Sequence, residues 1–219
     1  MSIIAVASIT LYMFISGTPA LFKVGIKELL FNPIWDPTGT DPSFGILNMI
    51  MTSIVGVLSA LILACPIGIF TAIYISELAD KKIKNKLMTC IELLAGIPSV
   101  LYGLLGVVLI NPFIYQLELL LFKDSSTHQF TGGANLISAI IVLAIMILPT
   151  LINMSVTALQ SVPDHYRKSS LALGATPIQT IFKVTVPTAK KGIISAMILG
   201  VGRAIGVAMA ILLLSLIHI

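Results

Sequence analysis

The chain has 219 residues, of which 57% are hydrophobic and only 10% charged, and its formal net charge is +4. A mean hydropathy of +1.06 excludes an ordinary soluble domain, in which about a quarter of residues carry charge. The length accommodates about five membrane spans of ~20 residues with short loops and no sizeable water-soluble domain. Too little basic surface is left in water for nucleic-acid binding.

Five apolar segments follow one another, at about 2–22, 46–76, 87–111, 135–158 and 191–219, each long enough to be read as a span. The first begins almost at Met1 without the basic lead of a secretory signal, so it reads as a first span. Between the first two, FNPIWDPTGTDPSFG is rich in Pro, Gly and Asp. An irregular loop is expected there, with Trp35 as an interfacial anchor.

Charge placement gives the orientation. The 77–86 turn holds Lys81, Lys82, Lys84 and Lys86 against Glu77 and Asp80, and 159–191 holds Arg167, Lys168, Lys183, Lys190 and Lys191 against Asp164. On the opposite side Lys23, Lys27 and Lys123 are outnumbered by Glu28, Asp36, Asp41, Glu118 and Asp124. The positive-inside rule then puts the N-terminus and both basic loops in the cytoplasm, with 23–45 and 112–134 outside.

Cys65 and Cys90 lie within or beside apolar runs, so small apolar packing is expected of both, with no disulfide framework. His128, His165 and His218 are scattered without metal-ligand spacing, and neither metal nor cofactor is expected.

The one well-formed water-side segment is 161–187, SVPDHYRKSSLALGATPIQTIFKVTVP. Ser161 and Asp164 form an S-x-x-D capping arrangement, and Pro163 suits a first helical turn. The helix is expected to run to Leu173 and stop at Gly174, the residue best able to take a left-handed conformation. Thr176, Pro177 and Gln179 repeat the start signal, and a second short helix is expected to end before Pro187. The resulting knuckle shows Tyr166, Leu171, Leu173, Ile178, Ile181 and Phe182 to water. Two readings fit: these residues pack on the ends of the chain's own spans, or they dock a cytoplasmic partner in helix-in-groove fashion.

This segment resembles the cytoplasmic loop of ABC importer permeases, whose pattern is E-A-A, three residues, G, nine residues, I-x-L-P. Lys168, Ser169 and Ser170 occupy the E-A-A positions, followed by Leu171, and Gly174 and Ala175 stand at the glycine turn. After Ile181, Val184 and Val186 fill the I and L positions and Pro187 the proline. Lys168 departs from the family's glutamate, which removes the usual salt contact to an ATPase but not the docking geometry. IELLAGIPSVLYGLLG at 91–106, WDP in the outer loop, LAIMILPT at 143–150 and GRAIG at 202–206 are similar to phosphate importer permeases, and to their PstC type in particular.

Within the apolar runs, Gly96-Ile97-Pro98 interrupts the third span and is expected to break it. The break is either a structural kink or a broken helix lining a path. Arg203 lies about 12 residues into the last segment, ~18 Å at the helical rise, near the bilayer middle. A cation there costs at least ~2.5 kcal/mol unless it meets water, a counter-charge or an anion. Phosphate suits its planar fork, and an ion pair with Glu92, at a poorly matching depth, is the alternative. Gly200, Gly202 and Gly206 favour close helix contact. Where the family has glutamate and threonine after GRAIG, this chain has Val207 and Ala208, leaving Arg203 without a carboxylate four residues on.

The resemblance implies an all-α, polytopic transmembrane bundle of the ABC importer permease type, one transmembrane domain over 1–219 with the coupling loop at 161–187. About five spans are expected, with the sixth missing and residues after about 211 departing from the family. It implies transport of inorganic phosphate across the cytoplasmic membrane, with another oxyanion or a small polar solute as the alternative cargo, and with an ATP-binding subunit dimer, a second homologous permease and an external phosphate-binding protein as partners. The chain has no G-x-x-x-x-G-K-[ST] phosphate loop, so ATP hydrolysis is expected in a separate subunit. An ATP-independent transporter would have no need of the knuckle. For an intramembrane enzyme the sequence offers no Asp pair, Ser/His dyad or H-E-x-x-H site.

Overall fold

The computed structural model describes residues 2–123 and 130–206. It is helical apart from a two-residue antiparallel ladder, and five of its helical runs are long and apolar enough to cross a membrane: Ile3–Val24, Leu47–Leu78, Ser99–Phe122, Leu136–Gln160 and Pro177–Ile205. The protein is a multi-pass membrane protein. Its contacts divide it into two compact units, residues up to Ile54 and residues from Val55, the boundary falling inside a helix.

The first unit holds α1 (Ser2–Val24), α2 (Ile26–Phe31) and the start of α3 (Leu47–Ile73). Between α2 and α3, β1 (Trp35–Asp36) pairs with β2 (Ser43–Phe44) in the register Trp35 to Phe44. The loop is therefore less irregular than its composition implies: Trp35 meets Phe44 edge to face at 6.0 Å, and the Ser43 hydroxyl donates to the Ile34 carbonyl.

The second unit is built around α7 (Leu136–Gln160), which has a buried face from Ser138 to Leu159 and packs most extensively against α10 (Val186–Ile205). Small residues set that approach, since Gly192 faces Ala158 and Gly200 faces Ile147. Higher numbers on α10 meet lower numbers on α7, so the two run antiparallel. One apolar cluster gathers Val57, Ala60, Tyr102, Leu143, Met146, Ile147 and Leu151. A second gathers Ile73, Ile75, Ile91, Ile152, Val156, Leu159, Ile181 and Ile193.

The third span differs from its sequence reading in its bounds. Its helical run reaches Phe122, through α5 (Ser99–Leu105), a π-helical turn at Gly106–Ile110 and α6 (Asn111–Phe122). Residues 112–122, expected outside, are thus helical, and Glu118 is buried on α6, where it accepts from the Thr131 amide at 3.2 Å. The 81–95 stretch forms a separate helix, α4 (Lys81–Ala95). Between α4 and α5 the chain breaks at Gly96–Pro98, as the sequence predicts: proline cannot donate a backbone bond, and Pro98 stands just ahead of α5 with an extended backbone.

Pro187 does not end a helix. The short α9 (Pro177–Thr180) passes into a π-helical turn, Ile181–Thr185, and then into α10, in whose first turn Pro187 sits. The wider turn absorbs the hydrogen bond that proline cannot make, so the run from Pro177 to Ile205 continues through it. The last span accordingly begins earlier than its apolar run.

Candidate coupling knuckle and intramembrane arginine

The knuckle is a folded element with an internal brace and an external clamp. α8 (Asp164–Ala172) begins after Pro163. The Ser161 hydroxyl donates back to the Ala158 carbonyl instead of capping α8, so the expected Ser161 cap is not formed. The first turn is held from below by Arg167. At the far end Leu173 closes the helix and Gly174 has φ 86°, the left-handed geometry expected of it. A Cβ on Gly174 would meet nothing within 4 Å, so the backbone angle alone calls for glycine there.

The second start signal folds as its sequence predicts. The Thr176 side chain accepts from the Gln179 amide at 3.3 Å, and the Gln179 side chain accepts from the Thr176 amide at 3.0 Å, a reciprocal capping box. Ser170 and Thr180 share a hydroxyl hydrogen bond of 2.9 Å, which braces α8 against α9. Between the helices lies a groove of about 390 Å³ lined by Tyr166, Ser170, Leu173, Ala175, Gln179, Lys183 and Val184.

Among the residues singled out from sequence, Lys168 and Ser169 are exposed, Leu171 is exposed, and Ala175 is half-buried with its amide on the Ser170 carbonyl. Leu173 is 89% exposed and Ile178 64%, which leaves their apolar surface unpacked by the chain itself. Ile181 is the exception. It is buried in the cluster around Val156 and Leu159, so it anchors the knuckle to the bundle and is not on view to a partner. Pro187 is exposed.

The clamp was legible in the sequence only as two charges. Arg167 donates through Nε to Glu77 Oε2 at 3.2 Å and through an Nη to Glu77 Oε1 at 2.8 Å. The same guanidinium reaches the Val162 and Leu159 carbonyls and the Asp164 carboxylate. Every edge of the fork is thus engaged, tying α8 to the C-terminus of α7 and to the long span that ends at Leu78. The Glu77 hydrogen bond and charge, with Asp164 adding to them, hold the Arg167 pKa above its ordinary value against the opposing effect of burial. Glu77 sits in a π-helical turn, Tyr74–Leu78, closed by the Ala79 amide on the Tyr74 carbonyl. The pair also shows that the 77–86 turn and the knuckle share one end of the bundle, as their common basic character predicts.

The structure brings together the second pair of sequence features, Arg203 and the Gly96–Pro98 break. Arg203 donates to the Thr150 hydroxyl at 2.7 Å and to the Ala95 carbonyl at 3.1 Å. The carbonyl is free because α4 ends there, and the last carbonyls of a helix have no partner of their own. Thr150 is well inside α7, 10 residues before its end at Gln160, or ~15 Å at 1.5 Å per residue. Arg203 makes no ion pair with Glu92, which is exposed on α4. Of its five N–H donors, two are used and three have no partner among the described residues. Gly200 packs closely on Ile147, whereas a Cβ on Gly202 or Gly206 would meet no neighbouring helix among the described residues. Val207 and Ala208 lie outside the described residues.

Residues 64–216 match the family of binding-protein-dependent transport system inner membrane components. The chain belongs to that family. A probable ABC transporter permease protein, YqgH, of Bacillus subtilis is 42% identical over 212 residues, covering 95% of this chain and 65% of the relative. A phosphate transport system permease protein, PstC, of Xylella fastidiosa is 31% identical, covering 95% and 66%. Another, PstC 2 of Mycobacterium tuberculosis, is 26% identical, covering 97% and 68%. The chain thus spans just under two thirds of the length of the first two.

Proposed function

We propose that the chain is a membrane permease subunit of an ATP-driven importer and that its substrate is inorganic phosphate. The observation that carries the transport reading is the clamped knuckle. A helix pair that leaves Leu173 and Ile178 bare, yet is fixed to two spans through Arg167 and Ile181, is built to pass force from a docked partner into the bundle. Apolar side chains on a short helix are the usual means of docking into a groove.

In this reading an ATP-binding subunit dimer meets the knuckle in the cytoplasm, where the chain's N-terminus also lies, and hydrolyses ATP. Lys168, Ser169, Leu171, Gly174 and Ala175 form the contact edge, and Ser170 braces it. A second, homologous permease completes the path, and an external binding protein delivers the anion. Substrate meets Arg203, whose three remaining N–H donors suit the oxygens of an oxyanion. The break at Gly96 and Pro98 exposes backbone polar groups beside it, a device that transporters use at binding sites.

Phosphate is supported by the two PstC relatives, while the Bacillus relative's name specifies no substrate. A permease for another oxyanion is therefore the second reading. Uptake of radiolabelled phosphate into vesicles holding the assembled transporter, with sulfate and molybdate as competitors, separates the two. Phosphate uptake that depends on ATP and falls at least ~100-fold in Arg203→Ala, the scale of losing a preorganised charge-stabilising donor, is the expected result. Equal uptake in that variant removes Arg203 from the path. Stronger inhibition by another oxyanion replaces phosphate as substrate.

A further inference from the structure

Helix α4 is exposed over more than half of its circumference, and the two flanks of that exposed arc differ in character. Its packed face carries Leu87, Met88 and Ile91 against the apolar cluster around Ile152 and Val156, with half-buried Ala95 at the helix end. At about 100° per residue, Lys81, Asn85, Thr89 and Glu92 fall together on one side of that face. Ile83, Cys90 and Leu94 fall on the other, with Lys82, Lys86 and Leu93 between the two groups. All ten are exposed.

The depth of these flanks follows from contacts. Lys81 begins α4 just after the span ending at Leu78, at the knuckle end of the bundle. Ile91 packs in the same cluster as Ile152 and Val156. Ala95 reaches the guanidinium that also holds Thr150. The helix therefore climbs from the knuckle end to the level of Arg203, alongside the second half of α7. An apolar flank at that depth suits lipid. A flank with an ammonium, an amide and a carboxylate does not, because charged groups inside a membrane face water, a counter-charge or a ligand.

The Glu92 carboxylate, the Asn85 amide and the Lys81 ammonium have no partner among the described residues. The Thr89 hydroxyl donates only to the Asn85 carbonyl within its own helix. A protein helix laid over this flank would strip water from three unsatisfied polar groups. Water itself would satisfy all of them. Cations stand at both ends of the flank, Lys81 at its mouth and Arg203 at its head, and outnumber its one carboxylate, Glu92, which favours passage of an anion.

We propose that the Lys81–Asn85–Thr89–Glu92 flank of α4 lines a water-filled lane, through which the substrate anion passes between Arg203 and the knuckle end of the bundle. The lane rests on the transport reading for its cargo but not for its water.

Single cysteines at Asn85→Cys, Thr89→Cys and Glu92→Cys, in a chain carrying Cys65→Ala and Cys90→Ala, test it. Ile83→Cys, Leu94→Cys and the native Cys90 in the Cys65→Ala chain serve for the apolar flank. Each is treated in inside-out vesicles with a charged, membrane-impermeant maleimide. The lane flank is expected to react about tenfold or more faster, since the attacking thiolate forms in water and is suppressed in apolar surroundings. Equal rates overturn the lane: both slow means that lipid or protein covers the flank, and both fast means that α4 stands in open water. Full modification of Thr89→Cys is then expected to abolish ATP-driven release of preloaded phosphate from these vesicles, the direction that import takes when the cytoplasmic face points outward. Unchanged release overturns the anion's route. If the unlabelled cysteine-free chain releases no phosphate while the labelling contrast persists, the cargo assignment fails and the water-filled lane stands.

Discussion

Arg167 and Glu77, 90 positions apart in the chain, are joined by two parallel hydrogen bonds of 3.2 and 2.8 Å. Through this pair the knuckle helix α8 is fixed to the end of the Leu47–Leu78 span. A two-point contact between planar groups resists rotation as well as separation, so motion of the knuckle must carry the span end with it.

Breaking that pair from one side leaves a charge with 9% side-chain exposure at Glu77. Fully buried pairs cost ~3–5 kcal/mol when one partner is removed. Arg167 keeps 20% of its side chain in solvent, so Arg167→Met is expected to destabilise by about 2 kcal/mol, a discount for screening. Thermal unfolding in detergent reads the loss, and adding Glu77→Gln should recover part of it, because the orphaned charge then disappears. Additive effects of the two changes would show that the pair is not coupled.

The same pair has a pH signature. A cation whose folded-state pKa is raised stabilises the fold fully below its unfolded value and loses that contribution only as pH rises through the raised one. Arg167 is held above the ordinary guanidinium range, so the clamp's cation persists throughout the accessible alkaline range. Arg167→Lys places a group of ordinary pKa ~10.4 there. Melting temperature of the lysine variant is expected to run parallel to the parent's up to pH ~10.4 and to fall relative to it only above that value, as the clamped ammonium deprotonates. Parallel curves throughout would mean that the charge contributes nothing.

Gly174 offers a cleaner backbone test. Its φ is 86° and an added Cβ has open space, so Gly174→Ala carries the left-handed penalty of ~1–2 kcal/mol and no clash. Asn tolerates this region better, and Gly174→Asn should lose about half as much. Limited proteolysis within the knuckle is expected to rank the three chains glycine, asparagine, alanine. Equal cleavage of all three would show that the turn's angle does not matter.

Most of this architecture was legible locally. Gly174 and the Thr176–Gln179 box depend on neighbours within four residues, and the break at Gly96–Pro98 on proline chemistry alone. Failures arose where a contact outside the motif itself overrode its signal. Ser161 looks like a cap, yet its hydroxyl turns back to donate to the Ala158 carbonyl at the end of α7. Pro187 looks like a stop, yet the π-helical turn before it absorbs the defect. Ile181 looks exposed within a polar stretch, yet α7 covers it. The partners of Arg203 could not be read from sequence, because Thr150 lies 53 positions away and Ala95 108. One of them is a backbone carbonyl, which leaves no residue-type signature.

Thr150 is the sharper probe of the Arg203 site, because it holds the arginine without carrying a charge. Thr150→Val removes the hydroxyl at nearly constant volume. A hydrogen bond to a charged group contributes ~1.5–3 kcal/mol, so a loss of about 2 kcal/mol is expected, with Thr150→Ser close to the parent. If Arg203 is oriented by Thr150 for an anion, phosphate uptake falls in the valine variant beyond what its stability accounts for, and the apparent KM rises. An unchanged melting temperature and uptake would mean that the 2.7 Å contact is incidental.

The close approach of α10 to α7 at Gly192 is tested by compensation. A Cβ on Gly192 would stand 2.5 Å from the Ala158 Cβ, well inside van der Waals contact, and both helices are fixed along their length by the apolar clusters. Gly192→Ala must therefore separate α10 from α7 or bend one of them, and overpacking of this kind costs ~1–3 kcal/mol. Transferring the methyl group instead, with Gly192→Ala and Ala158→Gly together, restores the summed volume at the crossing. The double variant is expected to melt closer to the parent than Gly192→Ala does, despite placing a second helix-weakening glycine in α7 at ~1 kcal/mol. A double variant less stable than the single one would mean that α10 accommodates the methyl by shifting, and that the small pair does not set the distance between these two helices.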